Sequence, residues 1–162
     1  MKAKTNLPIL GVGPYYTLFS FLLTFLSIFY TENKSLIYYL PSLNIVCKLI
    51  SFLFIIIAIV LWGSAIFFNH ITSKIKQNKL VTDGVYGYVR HPIYSAFLFM
   101  NFSILLASAN ILLFPLLIIH WIILSLLLIY TEEKWLLQRF QNEYIIYSKC
   151  VNRCIPWFPS SK

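Results

Sequence analysis

Residues 111–130 read ILLFPLLIIHWIILSLLLIY, twenty positions without a Lys, Arg, Asp or Glu. A helix of that length rises about 30 Å, the thickness of a bilayer's hydrocarbon core. Upstream, residues 92–108 (PIYSAFLFMNFSILLAS) form a shorter apolar stretch, separated from the first by Ala109 and Asn110 alone. So short a connection predicts a tight antiparallel hairpin, with the shorter arm borrowing a turn at either end. Pro115 is expected to bend the longer arm.

Two further stretches qualify as spans. One runs from Leu49 to Asn69, with Lys48 at its mouth, where a long side chain can snorkel to the headgroups. The other runs from Gly11 to Tyr30 after the basic start Met1-Lys2-Ala3-Lys4. That start looks like the front of a signal peptide. Pro8, Gly11, Gly13 and Pro14 interrupt it, however, and no small-x-small cleavage site follows Tyr30, so it reads as a retained span. The fold expected is all-α and membrane-integral. It has four transmembrane helices (11–30, 49–69, 92–108, 111–130) in a single unit over residues 1–162, ending in a cytoplasmic C-terminal helix and tail.

Composition agrees. The chain is 59% hydrophobic and 11% charged, with a mean hydropathy of +0.77. A soluble domain carries roughly 25% charged residues, so this chain cannot build a water-facing surface all round. The net charge of +8 is laid out next to the spans. Lys2 and Lys4 precede the first; Lys74, Lys76, Lys79 and Arg90 lie between the second and third; Lys134, Arg139, Lys149, Arg153 and Lys162 follow the fourth. Lys34 and Lys48 fall on the other side. The positive-inside rule then places both termini and the 70–91 loop in the cytoplasm, and anionic headgroups rather than nucleic acid account for the basicity. Cys47 sits at a span edge, and Cys150 and Cys154 lie on the reducing side. Two thiols four apart without a nearby His make no zinc site, so no metal is expected.

The longest polar stretches, His70–His91 and Thr131–Lys162, share one membrane face. Ionisable groups gathered there are the default candidates for function. Thr82-Asp83-Gly84 reads as a turn leading through Val85-Tyr86-Gly87-Tyr88-Val89 into Arg90-His91-Pro92. Pro92 suits the first turn of a helix, which puts Arg90 and His91 at its N-terminal mouth. In the second stretch, Glu132, Leu136, Phe140 and Tyr144 are spaced four apart. One helix continuing past the fourth span would therefore turn Glu132 inward. The hairpin brings Arg90, His91 and Tyr94 to face Glu132 and Glu133, a polar cavity able to hold a zwitterion.

These residues carry a resemblance. Leu80-Val81-Thr82-Asp83-Gly84-Val85-Tyr86 followed by Arg90-His91-Pro92-Ile93-Tyr94 is similar to the signature of the isoprenylcysteine carboxyl methyltransferase and phospholipid methyltransferase group. A second block matches in order and spacing: Glu132-Glu133, Leu136, Phe140, Glu143-Tyr144, Tyr147, Val151, Arg153 and Ile155-Pro156. The resemblance covers about Asn78 to Trp157. It implies an S-adenosylmethionine-dependent methyltransferase acting at the cytoplasmic face on a lipophilic or lipid-anchored acceptor that enters from the bilayer. It further implies that Leu80 and Val81 contact the cofactor through their backbone and Tyr86 from the turn. His91, Pro92 and Tyr94 line the cofactor pocket, and Glu132 binds a polar end of the cofactor. Arg90 and Glu133 close the site or place the acceptor.

Three positions depart from the family pattern. Ala96 and Gln141 stand where glycine is common, and Leu128 stands where members that methylate a prenylcysteine carboxylate carry an arginine. The last leaves an amine, a thiol or another lipid-like acceptor open. Two other functions stay open beside the methyltransferase: an NADPH-dependent membrane reductase, and a non-catalytic membrane factor on the same fold.

Elsewhere the residues carry plainer expectations. His120, mid-span, packs neutral with a hydrogen bond, and Asn101 and Asn110 make interhelical or turn contacts. Gly11-Val12-Gly13 lacks the strand and full fingerprint of a dinucleotide site. Glu133 can pair with Lys134 or Arg139. Trp157 and Phe158 can dock the tail on the membrane.

Overall fold

The computed structural model describes residues 11–38, 41–68 and 79–160, and among them it is all helical, with one isolated bridge and no named strand. Six α-helices run in order: α1 Gly13–Asn33, α2 Pro41–Gly63, α3 Pro92–Ala107, α4 Pro115–Tyr130, α5 Glu132–Phe140 and α6 Asn142–Cys150. Proline stands in the first turn of each of the four long helices, at Pro14, Pro41, Pro92 and Pro115. There its missing N–H removes no hydrogen bond and its fixed φ suits the helix. Pro115 therefore starts α4, after a 3₁₀ turn at Ile111–Leu113, and does not bend it.

Three stretches are long and apolar enough to cross a membrane: Gly13–Asn33, Leu43–Phe67 and Ile111–Phe140; the protein is an integral membrane protein. α3, at 16 residues, is shorter than these. α2 begins at Pro41 rather than Leu49, so Lys48 lies within the helix and not at its mouth. α2 ends in a π-helical turn, Ser64–Phe68. Lys2, Lys4, Pro8, Asn69, His70, Lys74, Lys76 and Lys162 lie outside the described residues.

The helices are inside-out relative to a soluble bundle. On α1 the buried positions are Tyr16, Ser20, Thr24 and Thr31, while Leu18, Leu22, Phe25, Leu26 and Phe29 are exposed. Lipid tails are as apolar as leucine, so burying leucine gains little, and small or hydrogen-bonding side chains hold the helices together instead. Asn101 of α3 is the hub. Thr24 Oγ1 donates to Asn101 Oδ1 at 2.6 Å and lies 3.0 Å from His120 Nε2, and Asn101 Nδ2 donates to Ser20 Oγ (3.2 Å) and to the Phe97 carbonyl (2.9 Å). One buried network thus joins α1, α3 and α4, with His120 hydrogen-bonded as expected.

α2 packs chiefly on α3. Ala58 of α2 and Ala96 of α3 are fully buried in one cluster, and residues this small let backbones approach closely. Ser51 and Ser103 cross-link the pair reciprocally, each hydroxyl donating to the other's carbonyl at 2.8 and 2.9 Å. At the hairpin between α3 and α4, Ala109 takes a left-handed φ of 50°. Asn110 Oδ1 accepts from Leu112 N and Tyr38 N, while its Nδ2 donates to the Leu36 carbonyl. That amide ties the hairpin to the loop after α1.

At the opposite end the chain doubles back. Arg90 N donates to the Asn152 carbonyl (2.8 Å) and His91 N to the Arg153 carbonyl (3.2 Å), around the parallel bridge between Val89 and Asn152. Trp157 N reaches the Tyr88 carbonyl at 3.1 Å. The segment after α6 is thereby strapped to the segment before α3.

Candidate active site

Thr131 breaks the helical run between α4 and α5 (φ −120°, ψ −86°). Glu132 and Glu133 open α5, where carboxylates suit the positive end of the helix dipole. The single continuous helix expected through Tyr144 does not form. Gln141 adopts φ 47°, ψ −119° and starts a separate helix, α6.

The two neighbouring carboxylates serve two clusters. Glu132 Oε1 accepts from the Val12 amide at 3.2 Å and from the Tyr94 hydroxyl, and Glu132 Oε2 lies 3.7 Å from His91 Nδ1. Glu133 is gripped by two guanidiniums. Arg153 donates from Nε (2.8 Å) and Nη2 (3.0 Å) in a bidentate pair, and Arg90 Nη2 lies 3.1 Å away. His91 Nε2 stands 3.6 Å from Glu133 Oε1. His91 is therefore the partition between the clusters, with one ring nitrogen facing each carboxylate. Pro92, buried in the first turn of α3, fixes where that imidazole leaves the backbone.

Burial pushes the Glu133 carboxyl's pKa up, but the contacts from His91 and Arg153 and the charge of Arg90 outweigh it and bring it down to about 2. Arg90 is 92% buried as a side chain (8% exposed) and reaches Tyr144 both by Nη1 (3.4 Å) and over the ring face. Burial likewise holds the Cys154 thiol up at about 12, so it is no thiolate nucleophile near neutrality.

The remaining predicted residues form the apolar surround. Leu80 packs against Tyr144, Tyr147 and Val151, while Val81 and Tyr86 pack with Ala65. The Tyr86 carbonyl accepts from Tyr147 Oη at 2.7 Å. The Tyr86 hydroxyl is raised above its ordinary pKa by burial and by the neighbouring Tyr147 and Glu132. Among the described residues, no group of His, Cys, Asp and Glu is disposed to hold a metal ion.

Sequence reading missed Gly11 and Val12. Gly11 has φ 52°, and a Cβ there would overlap the Glu132 carboxylate and stand 2.8 Å from Tyr94 Oη. The N-terminal turn thus lies directly on the site. The only signal for it was a Gly-Val-Gly-Pro run beside the first span. Arg153 and Arg90, not Lys134 or Arg139, are the arginine and lysine partners of Glu133 among the described residues, and for Arg153 only its place in the second motif block hinted at that.

A family model for phospholipid methyltransferases matches residues 36–143, a stretch that includes every predicted site residue. The chain belongs to the phospholipid methyltransferase family. It is also similar to a protein-S-isoprenylcysteine O-methyltransferase of Schizosaccharomyces pombe, 40% identical over 98 residues, which is 57% of this chain and 40% of the relative. The chain thus spans less than half the length of the curated relative it matches. No solved structure matched. The resemblance carried by the RHPxY and Glu-Glu blocks is borne out by this membership in the phospholipid methyltransferase family.

Proposed function

We propose that this chain is an S-adenosylmethionine-dependent methyltransferase acting on a lipophilic acceptor borne by the membrane. One observation carries the reading. The RHPxY block and the Glu-Glu block, distant in sequence, meet in a half-buried cluster built around the Glu132 carboxylate. A carboxylate offers about four lone-pair sites, and Glu132 gives one oxygen to Val12 and Tyr94 while the other faces His91. Capacity remains for an ammonium or for ribose hydroxyls, so the residues fit the donor's polar end.

When bound, the donor supplies an electrophilic methyl on a sulfonium. The chain's own part is to orient and to exclude water, because an in-line displacement needs alignment more than acid–base chemistry. Glu132 would hold the donor's polar end, with Val12 N–H yielding or sharing that oxygen. His91, Pro92 and Tyr94 would wall the pocket, Leu80 and Val81 would supply backbone contacts, and Tyr86 would close the turn. Arg90 and Glu133 would fix the far face of His91 and place the acceptor. Leu128 is fully buried against Tyr16, Tyr94, Leu98 and Cys154, so that position offers no cation to an acceptor.

The same reading places four crossings in the bilayer, α3 being the short one, with both termini and the site at the cytoplasmic face. Its basis is the basic residues that flank α3 and follow α4.

Titration calorimetry of the detergent-purified chain with S-adenosylmethionine and S-adenosylhomocysteine tests the donor site. Micromolar binding is expected for wild type and its loss for Glu132→Ala and His91→Ala. NADPH binding to a well-folded chain that ignores both donors would overturn the reading.

A further inference from the structure

On the far side of His91 from Glu132, a cavity of about 620 Å³ lies between α4 and the tail. Arg90, Arg153 and Lys149 line it, and among the described residues no carboxylate does. Among the described residues Glu133 is the carboxylate that pairs with both Arg90 and Arg153, so two guanidiniums share one negative charge. Arg90 Nε is buried with no hydrogen-bond partner, and a buried donor left unpaired is costly. The lining also includes Trp121 and Ser125 of α4 and Trp157 of the tail, whose backbone N–H donates to the Tyr88 carbonyl. Trp121 and Trp157 are 42% and 65% exposed. Trp121 stands nine residues before Tyr130, about 13 Å along the helix axis, which is acyl-chain depth when Tyr130 is at headgroup level. Cations at headgroup level joined to an aromatic-lined cleft at chain depth match the two ends of one molecule.

We infer that this cleft is a binding site for an acidic membrane amphiphile, whose anionic head pairs with Arg153, Arg90 and Lys149 and whose tail lies along Trp121 and Trp157. The head supplies the acceptor oxygens that two guanidiniums around one carboxylate leave unmatched. The tail is held by apolar burial, so a small anion without a tail binds only weakly. The site does not depend on the donor reading, because its charges and its cleft lie across the imidazole from Glu132.

Bromine quenches nearby indole fluorescence, and two of the chain's four tryptophans line the cleft. The full-length protein in neutral detergent is titrated with 9,10-dibromostearate and, separately, with its methyl ester, which has the same tail and no charge. The acid is expected to quench at concentrations at least tenfold lower than the ester, and Trp121→Phe to remove much of the signal. Lys149→Gln, which leaves the Glu133 pairs intact, is expected to weaken the acid about threefold. Ser125→Phe, which fills the cleft, is expected to abolish the preference for the acid while thermal unfolding stays cooperative. Acetate at the same concentrations is expected not to compete. Equal quenching by acid and ester, an undiminished preference in Ser125→Phe, or competition by acetate would overturn the inference. Calorimetry with S-adenosylmethionine on the same samples keeps a failure of the donor site distinct from a failure of this one.

Discussion

Replacing Gly11 with alanine tests whether the N-terminal turn and Glu132 form one unit. The backbone at Gly11 has φ 52°, and the added Cβ would fall on the Glu132 carboxylate and close to Tyr94 Oη. The left-handed backbone costs alanine about 1 kcal/mol whatever lies nearby. The carboxylate, being the flexible partner, swings away and loses its bonds from Val12 N and Tyr94 Oη. Hydrogen bonds to a charged group contribute about 1.5–3 kcal/mol each; allowing for partial re-pairing with His91, the displaced carboxylate costs about 2 kcal/mol. The sum, about 3 kcal/mol, corresponds to a fall in Tm on the order of 10 °C for a chain of this size. In a Glu132→Ala background the carboxylate is gone and only the Tyr94 hydroxyl, the far end of a side chain 2.8 Å away, has to give, so Gly11→Ala should cost little beyond the backbone share, about 3 °C. Thermal unfolding of the four proteins in one detergent, followed by tryptophan fluorescence, closes the double-mutant cycle with a coupling of about 2 kcal/mol. Equal costs for Gly11→Ala in both backgrounds would refute the packing of this turn on the carboxylate.

Three other perturbations follow from the same geometry. Gln141→Gly should raise Tm by a few degrees, because a non-glycine residue at φ 47°, ψ −119° costs on the order of 1–3 kcal/mol and glycine's extra unfolded entropy offsets only part of that. Asn101→Leu should lower Tm through loss of a hub with three hydrogen bonds; at roughly 0.6 kcal/mol for each intramembrane bond, the cost is about 2 kcal/mol, and an unchanged Tm would show the network contributes nothing. Glu133's pKa falls from 4.5 to about 2 on folding, so its contribution is fully present above pH 4.5 and lost as pH falls from there toward 2. Unfolding midpoints across that range should fall more steeply for wild type than for Glu133→Gln.

Much of this architecture was legible in the chain. Length and hydropathy placed the long helices, and Pro92 and the Ala109-Asn110 connection placed the hairpin. The two motif blocks brought His91 and Tyr94 to Glu132, and Arg90 to Glu133. What escaped were features without a periodic signature. Pro115 reads equally as a bend or a beginning, and only the 3₁₀ turn before it decides for a start. The break at Gln141 hides inside an unbroken four-residue spacing, because helical periodicity is blind to one residue with positive φ. Gly11 and Val12 reach Glu132 from the other end of the chain, a contact that no local pattern encodes. The inward-facing Ser20 and Thr24 lower α1's hydropathy and look like a weaker span, whereas their hydroxyls are what hold it to α3 and α4.

The most direct test of the methyltransferase account is transfer itself. Membranes containing the chain are incubated with methyl-tritiated S-adenosylmethionine, extracted into organic solvent and counted, beside membranes containing equal amounts of the Glu132→Ala protein. The account predicts label in the lipid-soluble fraction that depends on the wild-type chain and falls at least a hundredfold in Glu132→Ala. Equal labelling by the two proteins would contradict it.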